Sequence, residues 1–292
     1  MRRPATALIA GVLATVLIGC GTTSSPPAPT SAPSAPSSSA FPVPSGWKVT
    51  FDDEFDGPAG KAPDSRYWHP DHGGTGWGNQ ELQYYTPSGN AFLDGQGHLV
   101  LEARAQSGGI RSCWYGPCQY TSGKEITYRG DSALFSQRYG HFEVRMKMPA
   151  GAGLLAAFWL LGDNINDVGY PESGEIDVVE TLGNQTGAVE QHAHAPGLDF
   201  GSGFALPSGQ SISDWHTYAV TWTPTEIDWE VDGQTTQTLT KQQSAGRWDF
   251  DHPFYLLFSL AVGGNWPGPP DAGTKFPAQM LIDYVRVFDE AS

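Results

Sequence analysis

Three acidic side chains lie within the short segment SGEIDVVET, residues 173–181, at Glu175, Asp177 and Glu180. Cleavage of a glycosidic bond with retention of configuration uses two carboxyl groups about 5–5.5 Å apart. One carboxylate attacks the sugar as a nucleophile, and the other carboxyl group protonates the leaving oxygen. A third carboxyl group beside them separates their titrations, because neighbouring like charges disfavour ionisation. The segment therefore contains the groups that this chemistry needs.

The spacing of these acids predicts an irregular strand. Side chains alternate between the two faces of a regular strand, so Glu175 and Asp177 share one face and Glu180 points to the other. A single β-bulge at Val178 or Val179 would return Glu180 to the first face. The two glutamate backbones would then be about 13 Å apart, and two long side chains can close about half of that gap. Spacing alone leaves a second interpretation open, an exposed strand edge whose outward positions are acidic.

Short segments of alternating apolar and polar residues fill the chain from Trp47 to Phe288, separated by Gly, Pro, Asn and Asp. In GHFEVRMKM, for example, Phe142 and Val144 fall on one face of a strand. The segments TYAVTW and EIDWEVDG repeat the pattern on either side of a short connection and predict a β-hairpin. FYLLFSLAVGG and MLIDYVRVF are more continuously apolar, which predicts deeply buried strands. We therefore expect one all-β sandwich domain over residues 47–292, with little helix.

The first residues of the chain predict export. MRRPATALIAGVLATVLIGC joins a basic start to an apolar run and ends in Leu-Ile-Gly-Cys, which resembles the lipobox of bacterial lipoproteins. We expect residues 1–19 to be a signal peptide and Cys20 to carry a lipid that anchors the exported protein to the cell membrane. An ordinary cleaved signal with a chance cysteine is the alternative. Residues 20–46 are rich in Pro and Ser and hold no charged residue, which predicts an extended tether.

The charge balance argues against a nucleic-acid partner. The net charge is −15, and loss of residues 1–19, which contain two arginines and no acid, makes it −17. Binding to nucleic acid depends largely on basic side chains that neutralise phosphates. We expect a monomer that does not bind nucleic acid and whose chemistry requires no cofactor.

The other two cysteines, Cys113 and Cys118, lie close together in a chain that is predicted to reach an oxidising compartment. This predicts a disulfide, with a pair of free thiols as the alternative. A metal site on this pair would need further Cys or His ligands, and the intervening Trp-Tyr-Gly-Pro offers none.

The run PESGEIDVVE, preceded by AAFWLLG, closely resembles the signature of glycoside hydrolase family 16, in its laminarinase-like branch with a bulged motif. Similar segments extend over nearly the whole domain: FDDEFDG (51–57), GWGNQELQYYT (76–86), GHFEVRMKMPAG (140–151), DWHTYAVTWTPTEIDWEVDG (214–233), and PFYLLFSLAVGGNWPG through MLIDYVRVF. The resemblance implies a β-jelly-roll sandwich of two curved antiparallel sheets, with a substrate cleft on the concave face. It also implies that Glu175 is the nucleophile, Asp177 its assisting acid and Glu180 the general acid/base.

Five further residues are implied as contacts to a polysaccharide substrate. They are Trp159, Trp77, Asn79, His194 and Trp266. Indole faces stack on the apolar faces of sugar rings, and a few polar groups fix the orientation of the ligand. For each tryptophan, packing in the core is the alternative.

The resemblance also implies a structural calcium ion on the convex side, at positions that match Glu54, Gly97 and Asp283. Calcium prefers such oxygen ligands, although acids in turns are commonly only solvated. His192 and His194 share one face of a predicted strand, but two histidines without a third ligand do not make a transition-metal site.

The expected activity is endo-acting hydrolysis of β-1,3-glucan, or of mixed 1,3-1,4-glucan, by double displacement. A transglycosylase or a galactan-type hydrolase would use the same carboxyl groups, and a lectin of the same fold would bind sugar without cleaving it. Two departures from the family pattern bear on the substrate. Many relatives have Trp-Pro where this chain has Leu155 and Ala156, and Trp where it has Tyr170. These departures lie near the bond that would be cleaved.

Overall fold

A computed structural model describes residues 43–107 and 111–291 of the chain. The predicted signal peptide, Cys20 and nearly all of the predicted tether lie outside the described residues. In the described ranges, strands predominate and the one helix has four residues, as the sequence pattern predicts. No helix in these ranges is long and apolar enough to cross a membrane.

The elements of the described part are numbered along the chain. Those of the first half are β1 (Trp47–Asp53), β2 (His69–Pro70), β3 (Gln83–Tyr85), β4 (Ala91–Leu93), β5 (Leu99–Ala105), β6 (Ser112–Cys113), β7 (Gly116–Pro117), β8 (Tyr120–Ser122), β9 (Lys124–Ile126), β10 (Tyr128–Arg129), β11 (Ser132–Ala133), β12 (Ser136–Gln137) and β13 (Gly140–Lys147). Those of the second half are β14 (Leu154–Gly162), α1 (Ile165–Val168), β15 (Glu175–Leu182), β16 (Ala188–Ala195), β17 (Leu198–Ala205), β18 (His216–Trp222), β19 (Glu226–Val231), β20 (Gln234–Thr240), β21 (Phe254–Val262) and β22 (Ala278–Glu290).

Two large sheets form the sandwich. The ten-stranded sheet has the order β20-β19-β18-β13-β22-β5-β8-β3, with β1 beside β22 and β4 beside β5. The eight-stranded sheet has the order β17-β16-β15-β14-β21-β9-β2, with β12 beside β21. All pairings are antiparallel except β3 with β8. The predicted hairpin is present as β18 and β19, which pair from Tyr218 with Val231 to Trp222 with Ile227.

The core lies between the two sheets and contains side chains from both. Phe142 and Val144 of β13 and Phe158 and Leu160 of β14 are fully buried there. Hydrophobic burial of these alternating positions sets which face of each strand turns inward.

The outer face of the eight-stranded sheet is where β14 and β21 present their remaining side chains. On β14, Leu155, Ala157 and Trp159 line a cavity, while the residues between them enter the core. β21 is buried at all nine positions and lies between β14 and β9. This burial explains its continuous apolar sequence. The outer face of this sheet thus lines a cavity in which a functional site can form.

Candidate active site

Strand β15 contains the bulge that the spacing of the acids predicts. Asp177 and Glu180 are three positions apart on β15, but their partners on β16 are only two positions apart. The pairing with β14 shifts at the same place. Val178 and Val179 both enter the core, whereas Glu175, Asp177 and Glu180 all line one cavity. The bulge therefore returns Glu180 to the face of the strand that Glu175 and Asp177 occupy. Burial of the two consecutive valines stabilises the bulge.

The opposite sheet holds the bulge in place. Trp229 of β19 donates its indole N–H to the backbone oxygen of Asp177, at 2.8 Å. Gln191 donates to the backbone oxygen of Val178 at 3.1 Å, and Thr236 of β20 donates to Gln191. Buried backbone carbonyl groups that leave the regular ladder need such partners. The position of the acids consequently depends on side chains more than 50 residues away in sequence.

Asp177 is the most enclosed of the three acids, with 2% of its surface exposed. Burial first, and then the nearby charge of Glu180, raise the pKa of Asp177 well above its usual range. Burial and the charge of Asp177 raise the pKa of Glu175 in the same direction, and the two carboxyl groups share a hydrogen bond. We interpret this pair as holding one proton between them. With the proton on Asp177, Glu175 is ionised.

Two histidines of β16 face these acids. His192 Nδ1 is 3.0 Å from Glu180 Oε2, and His194 Nε2 is 3.4 Å from Asp177 Oδ2. Asp177 Oδ2 has no hydrogen-bond partner among the residues that the structure describes. The contact between His192 and Glu180 orients the carboxyl group for which the family resemblance implies acid/base chemistry. Sequence analysis missed this contact, because it depends on the register across the bulge.

Replacing Asp177 with asparagine is expected to stabilise the fold. A buried carboxyl group whose pKa is raised costs stability at any pH above its unfolded value, because unfolding releases its bound proton. At pH 7 we therefore expect Asp177→Asn to have a higher Tm than the wild type. The difference should disappear below about pH 4, where the group is protonated in both states. Thermal unfolding of both proteins across this pH range, with a chelator present to keep metal ions from binding, measures this difference in Tm. A Tm of Asp177→Asn that is equal to or lower than that of the wild type at pH 7 contradicts the inference.

The predicted tryptophans Trp159 and Trp77 both line the cleft beside the acids. Lys124 Nζ lies 4.1 Å from the centre of the Trp77 ring and 5.2 Å from that of Trp159. The same ammonium group forms an ion pair with Asp71 at 3.0 Å. Lys124 is buried by this cation–π cluster, which fixes both indole rings. Nothing in the local sequence around Lys124 indicates this role, because its partners come from two distant segments.

Asn79 and Trp266 also reach the cleft, and Asn79 supports the loop that carries Trp266. The side-chain oxygen of Asn79 accepts hydrogen bonds from the backbone N–H groups of Asn265 and Trp266, at 3.1 and 3.3 Å. Trp266 itself is 42% exposed. Core packing is therefore excluded for this tryptophan, and an exposed indole at the rim is available for stacking.

The disulfide between Cys113 and Cys118 is present, as predicted, and closes the small hairpin of β6 and β7. Trp114 donates its indole N–H to the backbone oxygen of Glu81 at 2.8 Å. Tyr115 donates its hydroxyl to the backbone oxygen of Leu82 at 2.6 Å. The hairpin thus braces the segment that carries Trp77 and Asn79.

Two adjoining cavities form the cleft, with volumes of about 600 and about 400 Å³. They share Glu175, Glu180 and Trp266, so open space extends on both sides of the acids. His194 lines the smaller cavity. Sequence analysis did not single out several polar cleft residues as contacts. They include Asp71, Glu81, Tyr85, Lys124, Tyr255 and Ser259 in the larger cavity, and Gln185, Glu190 and Asp199 in the smaller.

The positions predicted for calcium lie on the other sheet. The side chain of Glu54 accepts hydrogen bonds from Arg286 at 2.6 and 2.8 Å, and Asp283 is paired with Arg145. A side-chain carbon placed at Gly97 would lie 3.8 Å from the backbone oxygen of Glu54, so backbone groups of these two residues are neighbours. Arginines thus pair with one carboxylate oxygen each of Glu54 and Asp283. A calcium ion bound by oxygens of Glu54, Gly97 and Asp283 stays a prediction.

A sheet face with three clustered carboxyl groups, flanked by indole rings in an open cleft, is typical of enzymes that cleave polysaccharides. The comparisons with known proteins agree. Residues 86–286 match the family model described as glycosyl hydrolases family 16. The chain belongs to glycoside hydrolase family 16 and is a glycoside hydrolase.

Individual relatives support the same assignment. The chain is 38% identical to a β-glucanase of Rhodothermus marinus over 259 residues, which cover 83% of this chain and 85% of that protein. It is 34% identical to glucan endo-1,3-β-glucosidase A1 of Niallia circulans over 272 residues, which cover 85% of this chain but 39% of that longer protein. The laminarinase catalytic domain of Thermotoga maritima superposes with a TM-score of 0.77 at 40% identity, covering 84% of this chain and 99% of that domain. The predicted fold class, an antiparallel β-jelly-roll sandwich, is confirmed.

Proposed function

We propose that this enzyme is an endo-acting, retaining hydrolase of β-1,3-glucan that also accepts mixed 1,3-1,4-glucan. The observation that carries the proposal is the bulge of β15, which places Glu175, Asp177 and Glu180 on one face of a cleft flanked by Trp159. The names of the relatives support the substrate class. Endo action is supported by the open space on both sides of the acids, since an internal stretch of a long chain needs room in both directions.

In the first step, a carboxylate oxygen of Glu175 attacks the anomeric carbon while the carboxyl group of Glu180 donates its proton to the glycosidic oxygen. The C–O bond breaks, the reducing-end fragment leaves as an alcohol, and a covalent glycosyl-enzyme forms on Glu175. The hydrogen bond between His192 and Glu180 keeps Glu180 oriented toward the cleft. Asp177 donates its proton in a hydrogen bond to Glu175, which stabilises the negative charge of Glu175 until the attack.

In the second step, Glu180, now a carboxylate, removes a proton from water, and the resulting nucleophile attacks the anomeric carbon. The bond to Glu175 breaks and the sugar leaves with its original configuration, because two inversions have occurred. Glu180 regains its proton and Glu175 its charge, so the site returns to its starting state.

The anomeric form of the first product tests this mechanism. We expect proton NMR of a soluble β-1,3-glucan digest to show the β-anomer first, followed by slow mutarotation to the equilibrium mixture. A viscosity that falls much faster than reducing ends appear would accompany it, because internal cleavage shortens chains early. An α-anomer as the first product removes Glu175 as nucleophile, and inertness on all β-glucans removes the substrate proposal.

We also propose that the enzyme is exported and anchored to the membrane through a lipid on Cys20. The support is the sequence alone, in the basic start, the apolar run and the Leu-Ile-Gly-Cys ending. We expect the wild type to incorporate an alkynyl fatty acid and to sediment with membranes, and Cys20→Ser to lose both properties. Membrane association of Cys20→Ser at the wild-type level would contradict the anchor.

A further inference from the structure

A second kind of chemistry is available in the cleft, because β15 and β16 bring Asp177, His192 and His194 together. One donor atom from each of the three lies within 4.8 Å of the others. The two histidines are on the cleft face of β16, two residues apart, and Asp177 pairs directly with His192 across the strands. The third ligand that the sequence could not supply for the two histidines is therefore Asp177.

We propose that Asp177, His192 and His194 form a binding site for a divalent transition-metal ion, of which Zn²⁺ is the representative. Two imidazoles and one carboxylate match the ligand preference of zinc and of its neighbours in the first transition row, and do not match that of calcium or magnesium. An open fourth position would take water, as in zinc sites with three protein ligands.

The first support is the carboxylate itself. Asp177 is 2% exposed, and its Oδ2 atom has no hydrogen-bond partner in the described part of the chain. A buried acceptor of this kind is costly without a ligand. His194 Nε2 is 3.4 Å from this atom. Two ligands at about 2.0–2.1 Å from a tetrahedral zinc ion are about 3.4 Å apart, so this pair already has the spacing of two zinc ligands.

The second support is the set of groups behind the histidines. His194 Nδ1 lies 3.2 Å from Asp199 Oδ1, on the side away from Asp177. His192 Nδ1 likewise lies 3.0 Å from Glu180 Oε2, which leaves Nε2 for the metal. A carboxylate behind a ligating imidazole fixes its tautomer and raises its affinity for metal.

Metal and substrate would exclude each other. The ion would take the Asp177 oxygen and occupy the cavity that His192 and His194 line. We therefore expect Zn²⁺ to raise the apparent KM for glucan without changing kcat. This inhibition rests on the proposed function, whereas the binding of metal does not.

Binding is measured with Co²⁺ on the full-length protein, because cobalt in a four-coordinate site absorbs strongly in the visible range. We expect one Co²⁺ per chain, displaced by one Zn²⁺ and not by Mg²⁺ or Ca²⁺. Asp177→Asn and His194→Gln should abolish the spectrum. Asp199→Asn should keep the spectrum but weaken binding by about 10- to 100-fold, the range typical of a lost partner behind a metal ligand.

The matched control is His72→Gln, since His72 is an exposed histidine that does not belong to the cluster. It should leave the spectrum and the affinity unchanged. A wild type without the spectrum, or a spectrum that survives in Asp177→Asn or His194→Gln, overturns the site. A protein that binds one Co²⁺ through these residues but cleaves no glucan keeps the metal site and removes the proposed function.

Discussion

The variant Glu175→Ala is expected to lose about 10⁴-fold or more in kcat on β-1,3-glucan, because no covalent intermediate can form without the nucleophile. Thermal stability should not fall, since the side chain lines the cleft and does not enter the core, and since its loss removes a buried carboxyl group whose pKa is raised. The loss alone does not identify the role, because removal of any of the three acids would impair the reaction.

Azide makes the assignment of Glu175 specific. The truncated side chain leaves space beneath the anomeric carbon, where azide can attack an activated β-glycosyl donor such as a fluoride. One inversion then gives an α-glycosyl azide, which NMR identifies. Glu172→Gln serves as the control, because Glu172 is an exposed acid three residues earlier on the same segment. It should retain wild-type turnover. A β-glycosyl azide from Glu175→Ala would contradict the assignment.

The second large effect is expected at Glu180. Glu180→Ala should lower kcat on the polysaccharide by about 10²- to 10⁴-fold, the usual contribution of a positioned proton donor. On an aryl glycoside whose leaving group departs without protonation, the rate of the first step should fall far less. The glycosyl-enzyme on Glu175 should then accumulate, because Glu180 no longer activates water.

Azide separates Glu180 from Glu175 by stereochemistry. In Glu180→Ala, azide attacks the glycosyl-enzyme, and the second inversion gives a β-glycosyl azide. The two alanine variants therefore yield opposite anomers of the same product, and this difference cannot arise from damage to the fold. Equal loss of activity on aryl glycosides and on polysaccharide would indicate that Glu180 is not the proton donor.

Much of the architecture could be predicted from local pattern. Alternation of apolar residues predicted the strands, and the hairpin of β18 and β19 is where the pattern places it. The disulfide followed from the spacing of two cysteines in a chain that is predicted to be exported. These features are local because strand periodicity and short loop closure depend on neighbouring residues.

Other parts of the site had no local signal. The environment of Lys124 combines Asp71, Trp77 and Trp159, which only the fold brings together. The arginine partners of Glu54 and Asp283 likewise come from segments that are distant in sequence.

The acids of β15 show which features of the site follow from the sequence and which depend on the tertiary structure. Sequence by itself determined that Glu175, Asp177 and Glu180 could share a face only through a bulge, since side-chain alternation is fixed by strand geometry. Tertiary structure alone decided how the bulge is held, by Trp229 and buried valines, and which histidines face the acids. The physical reason is that register and burial are set by the packing of two sheets, whereas alternation is a property of one strand.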